Sequence, residues 1–218
     1  DAKPSAYDAI RDVFRPGHAD FTYLKKYGIR DYCGSGRASG RETAGRVAAG
    51  AIARKLLARR GVSITAYTFR AAGIQCKTID FSQIEQNPMR ACDPQAAVEM
   101  VKRVEAAKAA GDSVGGIIEC RVRGLPPGLG EPVFDKLDAD LAKAILSIGA
   151  TKGIEFGTGF AAADMYGSEH NDAMSPAGFV TNHAGGILGG ISTGEEIVFR
   201  VVVKPTSSIL TPRETVDT

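Results

Sequence analysis

Arg37-Ala38-Ser39-Gly40-Arg41-Glu42-Thr43-Ala44-Gly45-Arg46 combines a helix start with a concentrated cationic surface, and the rest of the chain can be arranged around it. Ser39 followed three residues later by Glu42 is the pattern of a capping box, in which the hydroxyl accepts from the backbone at 42 and the carboxylate reaches back to the Ser39 N–H. The spacing therefore predicts a helix from about Gly40 to Arg60, stopped by Gly61. Its stripe Ala44, Val47, Ala48, Ala51, Ile52 and Leu56 follows the 3.6-residue period. Gly45, Ala49, Gly50 and Ala53 would let another backbone come close, so this helix is expected to be buried between other layers. The positive end of its dipole faces the loop Cys33-Gly34-Ser35-Gly36, with Arg37 and Arg41 beside it. Two readings stay open there: an ordinary capped helix with a solvated basic first turn, or a site for a phosphate or carboxylate.

Outward from this helix, residues 5–14 carry a weak helical pattern that Pro16-Gly17 stops, leaving His18 in a loop. A lone His among polar neighbours reads locally as a surface residue. Val62 to Phe69 has strand composition. Asp93-Pro94 announces a second helix with Val98, Val101 and Val104 on one face and Lys102, Arg103 and Lys108 on the other. From Val114 to Arg123 the chain alternates, with Ile118, Cys120 and Val122 against Glu119, Arg121 and Arg123, which predicts a half-exposed strand. A third helix carries Leu137, Leu141, Ala144, Ile145 and Ile148, and further strands are expected at 152–156 and 196–204. Alternating strands beside long helices give an α+β class with antiparallel sheets packed on helices, over one domain, 1–218.

The chain of 218 residues is 44% apolar, ample for a packed core. No apolar run approaches the roughly 18 residues of a membrane span, and the reading is of a soluble protein, expected in the cytoplasm, with no membrane partner. The net charge of +2 and the lack of Trp argue against nucleic acid as a partner. Cys33, Cys76, Cys92 and Cys120 form no CxxC pair, so no zinc knuckle or disulfide framework is written and no metal is expected. Walker A, HExxH and GxSxG patterns are absent, and Gly34-Ser35-Gly36 lacks the third glycine of a dinucleotide fingerprint. What remains is a set of anion-binding devices: the helix start, two glycine-rich loops, and Lys204 followed by Thr206, Ser207 and Ser208. Taken singly, each also reads as a tight turn or a solvated strand end.

The residues resemble the chorismate synthase family. The resemblance rests on Arg15-Pro16-Gly17-His18-Ala19-Asp20, on Gly34 to Gly50, on 124–135 and 137–140, on Asn182-His183-Ala184-Gly185-Gly186-Ile187-Leu188-Gly189-Gly190-Ile191-Ser192, and on Lys204-Pro205-Thr206-Ser207-Ser208-Ile209. It runs from about Phe14 to Leu210. It implies a β-α-β sandwich with long central helices between antiparallel sheets, assembled as a homotetramer. The implied activity is conversion of 5-enolpyruvylshikimate 3-phosphate to chorismate by 1,4-anti elimination of phosphate, with reduced FMN as cofactor and NADP as an associated nucleotide. Two phosphates and two carboxylates in one pocket call for a dense set of Arg, Lys and amide donors.

By the same resemblance, His18 is the residue that protonates or hydrogen-bonds the reduced flavin, which reverses its local reading. Arg37, Ala38 and Ser39, then Gly149, Ala150, Gly189 and Lys204, Pro205, Thr206, Ser207 and Ser208, correspond to flavin contacts, and Arg41 to a substrate-binding arginine. Ala38 and Gly149 stand where many relatives have Ser and Asn. The family's Gly-Glu-Ser-His-Gly and Gly-Arg-His-Asp-Pro-Cys blocks do not occur in these 218 residues. The expectation is thus of a core portion that does not turn over alone. The alternative is a noncatalytic flavin- or phosphate-binding core, or an oligomerisation fragment.

Overall fold

Alternation along 116–123 fits a strand, and in the computed structural model, which describes residues 4–218, that strand lies at the centre of the molecule's main sheet. In chain order the helices and strands are α1 (Asp20–Tyr27), α2 (Thr43–Ala58), β1 (Ser63–Ala71), β2 (Ile74–Gln75), α3 (Pro94–Ala109), β3 (Gly116–Arg123), α4 (Leu137–Leu146) and β4 (Thr151–Phe156). The short elements α5 (Gly167–His170), β5 (Met174–Ser175), β6 (Gly178–Phe179), β7 (Ile187–Leu188) and β8 (Ile191–Ser192) follow, and then β9 (Ile197–Val203). Five strands pair antiparallel in the order β2-β1-β3-β9-β4, and β5-β6 and β7-β8 are separate two-stranded hairpins. The α+β class with antiparallel sheets holds. No helix among the described residues is long and apolar enough to cross a membrane.

Because successive strand residues point to opposite faces, the sheet has two different sides. On one, Tyr67 and Ala71 pack with Cys76, Ile84, Cys92, and Ala97 and Met100 of α3. On the other, Val122, Ile197, Phe199 and Val201 pack against Leu57 of α2 and Leu137, Leu141 and Ile145 of α4. Burying each large apolar side chain here contributes roughly 1.5–3 kcal/mol.

Glu119 corrects the half-exposed reading of β3. The strand is flanked by β1 and β9, and Glu119 has no exposed surface. Direct pairing sets Tyr67, Glu119, Arg200 and Glu155 in a row across β1, β3, β9 and β4. Arg200 Nε donates to Glu119 Oε2 at 2.7 Å and Arg121 Nε to Oε1 at 2.8 Å, while the Tyr67 hydroxyl donates to Oε1. Arg200 Nη1 continues to Glu155 Oε1 at 3.3 Å.

The 3.6-residue period located α3, but its buried face is turned from the expected one. Ala96, Ala97 and Met100 are buried, whereas Val98 is 54% exposed. The helix starts where Asp93-Pro94 predicts. Asp93 Oδ1 accepts from the Gln95 and Ala96 N–H groups, and Oδ2 from those of Lys77 and Thr78. Four amide donors, led by Ala96 and only partly opposed by burial, pull its carboxyl down to about 2. The contribution is present above the ordinary carboxylate value of 3.8 and is lost as pH falls through about 2. Asp93→Ala is expected to cost about 2 kcal/mol in urea denaturation at neutral pH, and less below pH 3; a pH-independent loss would contradict it.

The expectation of a buried α2 is not met. Val47, Ile52 and Leu56 are 70%, 65% and 58% exposed, and a Cβ built on Gly45 or Gly50 meets nothing within 4 Å. Of the layers expected on both sides of the long helices, the described residues supply one large sheet. A periodic stripe specifies that a helix is amphipathic; it carries no information on what covers the stripe.

Candidate functional site

Asp31 organises the glycine loop that precedes α2. Its Oδ1 accepts the Cys33 N–H at 2.9 Å and its carbonyl the Ser35 N–H at 3.0 Å. The chain then makes short 3-10 turns over Gly36–Ala38 and Gly40–Glu42 before α2. The capping box is only half formed. Ser39 Oγ accepts from the Arg41 N–H at 3.3 Å, but Glu42 pairs with Arg46 at 2.7 Å instead of turning back to Ser39. An arginine one turn on offers the Glu42 carboxylate a charged partner, which is stronger than a neutral amide donor.

Arg41 folds back on this loop, with Nη2 on the Gly34 carbonyl at 3.0 Å and Nε on Ser39 Oγ at 3.1 Å. Arg37 is left exposed, with no hydrogen-bond partner among the described residues.

A second wall comes from the turn before α1. Arg15 is its hub: Nε donates to Asp20 Oδ2 at 2.8 Å, Nη2 to Asp20 Oδ1 at 3.1 Å and also to Ser35 Oγ, and Nη1 to Ser208 Oγ at 3.2 Å. The Pro16-Gly17 turn places His18 so that Nδ1 faces this cluster. Burial, then the Arg15 charge, and more weakly Lys204, push the imidazole below its ordinary value of 6.5, against the opposing pull of Asp20, which favours the neutral ring. Burial raises the Asp20 carboxyl, but hydrogen bonding to Arg15 and the charges of His18, Arg15 and Arg30 outweigh it and hold it below the ordinary range.

The third wall joins the end of α4 to the end of β9. Arg46 Nη2 donates to the Ser147 carbonyl at 3.1 Å and to its hydroxyl at 3.2 Å, which ties α2 to this segment. Ala150 has a left-handed φ of 70°, and its carbonyl accepts the Lys204 N–H at 2.9 Å. The Thr206 carbonyl accepts from Ser113 Oγ at 2.7 Å, anchoring the segment that carries Ser207 and Ser208.

Between these walls lies a cleft of about 1580 Å³. It is lined by His18, Arg37, Ala38, Ser39, Gly149, Ala150, Lys204, Thr206, Ser207 and Ser208 among the residues expected from the sequence. Arg41, Pro205 and Gly189 do not line it. Arg41 is spent on the glycine loop, Pro205 lies between two lining residues, and Gly189 is in the β7–β8 turn. Arg15, Arg30, Arg46, Ser35 and Ser147 line the cleft without having been singled out. Arg15 and Asp20 were legible only as the flanks of the Arg-Pro-Gly-His-Ala-Asp block. Lining cations (Arg15, Arg30, Arg37, Arg46, Lys152, Lys204) outnumber lining carboxylates (Asp31, Glu42), so the cleft suits a ligand with several negative charges.

The model of one family, described as chorismate synthase, matches residues 1–218. Curated relatives named chorismate synthase include those of Desulfosudis oleivorans, 57% identical over 218 residues, and Roseiflexus castenholzii, 57% identical over 222 residues. That of Methanosarcina mazei is 55% identical over 225 residues. Each alignment covers 100% of this chain and 62% of the relative, so the chain spans less than two thirds of the length of these proteins. A solved structure titled "Crystal Structure of Chorismate Synthase" superposes with a TM-score of 0.77 at 33% identity, over 86% of this chain and 63% of that one. With a family model matched from end to end and a fold neighbour of this closeness, the chain belongs to the chorismate synthase family.

Proposed function

We propose that the cleft binds FMN and 5-enolpyruvylshikimate 3-phosphate, and that the chain forms the core of an enzyme that eliminates phosphate to give chorismate, the product in the name its relatives carry. The observation that carries this reading is the convergence of four distant segments, 17–19, 34–40, 146–152 and 204–208, on one cationic cleft. The donor set fits a flavin phosphate: an ammonium at Lys204, hydroxyls at Thr206 and Ser207 with no hydrogen bond among the described residues, and the guanidinium of Arg37. Reduced FMN held there would supply electron density for the loss of phosphate. The protein's own part is positional and electrostatic. Arg37 and Lys204 neutralise anionic groups, Ala38 and Ser39 offer backbone at the rim, Gly149 and Ala150 form the opposite wall, and His18 presents a ring nitrogen. Arg41, held on the loop, acts by shaping it and reaches substrate only by leaving Gly34. A homotetrameric assembly and a cytoplasmic location accompany this reading.

Titration of FMN with and without 5-enolpyruvylshikimate 3-phosphate, followed by flavin absorbance, tests it; no spectral change under either condition refutes it. Turnover with reduced FMN by a version that also carries the family's Gly-Glu-Ser-His-Gly and Gly-Arg-His-Asp-Pro-Cys blocks, and none by these 218 residues, separates the enzyme core from a noncatalytic binding core; equal turnover by the two refutes the assignment. Removing one charged hydrogen-bond donor costs about 1.5–3 kcal/mol, so Lys204→Ala is expected to weaken FMN binding roughly 10- to 100-fold. Lys102→Ala, on the solvated face of α3, is expected to leave it unchanged.

A further inference from the structure

Beside the cleft, the His18 Nδ1 atom is reached by two donors and one acceptor. The Asp20 backbone N–H and Arg15 Nη2 both lie 3.2 Å away, and Asp20 Oδ1 lies 2.9 Å away. A neutral imidazole carries its proton on one nitrogen, and the bond made by the other decides which. We propose that Arg15 and Asp20 are positioning residues that fix His18 as the neutral Nε2–H tautomer, so that the ring offers the cleft an N–H donor and not an imidazolium. This rests on the flavin-site reading only for what the donor would meet.

The argument is one of satisfied groups. The single lone pair on Nδ1 is shared by two N–H donors at 3.2 Å; a proton there would satisfy one oxygen and oppose both donors. The carboxylate oxygen at 2.9 Å is the one contact that favours the opposite tautomer, and it has a lone pair to spare beside Arg15 Nη2 at 3.1 Å; against it stand two N–H donors that a proton on Nδ1 would oppose. Asp20 instead acts through Arg15: its bidentate grip aims the guanidinium at the ring, and Arg30 Nη1 at 3.6 Å adds a second counter-charge. The Asp20 side chain is only 3% exposed and that of Arg15 11%, so water does not compete for the arrangement. The charged groups around the ring are therefore Arg15 and Asp20, Arg30 behind Asp20, and Lys204 from the end of β9.

The chain has three histidines, so ring nitrogens can be read individually by NMR on ¹⁵N-histidine-labelled, ligand-free protein. At pH 7 a protonated Nε2 and an unprotonated Nδ1 are expected for His18; the Nδ1–H form, or an even mixture, overturns the proposal. In pH titrations, Arg15→Gln is expected to raise the His18 pKa and Asp20→Asn to lower it. A clamp that merely holds the loop closed predicts that both variants drift toward the free-imidazole value, and movement in the same direction, or none, overturns the assignment. His170 and His183, outside the cleft lining, report whether each variant is folded; should one unfold, the tautomer of the unsubstituted protein decides. Because no ligand is present, failure of FMN to bind refutes the flavin-site reading without touching this result, and a wrong tautomer leaves the binding titration intact.

Discussion

Glu119→Ala is expected to lower the unfolding free energy by about 3–5 kcal/mol, because removing one member of a buried charge cluster strands the others. For a chain of this length that corresponds to a fall in Tm of about 10 °C. Glu119 is fully buried, whereas Arg121 and Arg200 keep 22% and 25% of their side-chain surface exposed. The carboxylate thus has no alternative to these partners. Glu155→Ala, at the edge of the same row and 23% exposed, is expected to cost about 1 kcal/mol or less. Equal losses for the two in urea denaturation would contradict the burial argument. Burial raises the Glu119 carboxyl, but hydrogen bonds from Tyr67, Arg121 and Arg200 and the Arg200 charge outweigh it and leave it below 4.5. Its stabilisation is therefore fully present above that ordinary value and disappears as pH falls through the lower folded one.

The second large effect is expected from Gly157→Ala, at about 3 kcal/mol or more. A Cβ at this position would lie 2.0 Å from the His183 carbonyl oxygen and 2.5 Å from the Gly185 nitrogen. Those atoms cannot retreat cheaply, because the Gly157 N–H bonds to the Val198 carbonyl at 2.9 Å and the Thr158 N–H to that of His183 at 2.8 Å. Overpacking of about 1–3 kcal/mol combines with the cost, about 1–2 kcal/mol, of a side chain in the left-handed region, since φ is 55°. By contrast, Gly50→Ala in the open helix α2 is expected to be neutral or stabilising by up to about 1 kcal/mol. Thermal denaturation of the pair checks both signs; similar shifts would show that the close approach at 157 is relieved by rearrangement.

Local rules carried the elements well. Asp93-Pro94 marked the start of α3 because an N-cap followed by Pro is a statement about nearby amides, and the structure satisfies it. Alternation located β3 and β9 within two residues. Burial of Glu119 was not legible, since alternation separates two faces without saying whether each is covered. The turned face of α3 and the open stripe of α2 failed for the same reason: period is local, and the covering layer is not.

At the cleft, isolated patterns left both a tight turn and an anion site open. Only the ordered blocks of family resemblance pointed to His18, Arg37 and Lys204 together. Even those blocks did not reveal that Arg41 closes on Gly34, or that Arg15 ties Asp20, Ser35 and Ser208 to one guanidinium, because side-chain direction is set by neighbours distant in sequence.

That guanidinium joins residues 193 positions apart when it reaches Ser208. Helices and the β1–β2 hairpin can form from neighbouring residues within microseconds. The walls of the cleft meet only after chain closure has brought the segment following β9 back to the turn before α1. During synthesis, a nascent polypeptide would therefore acquire its secondary structure well before the cleft exists, because its last wall, Lys204 to Ser208, leaves the ribosome after every helix and strand of the main sheet.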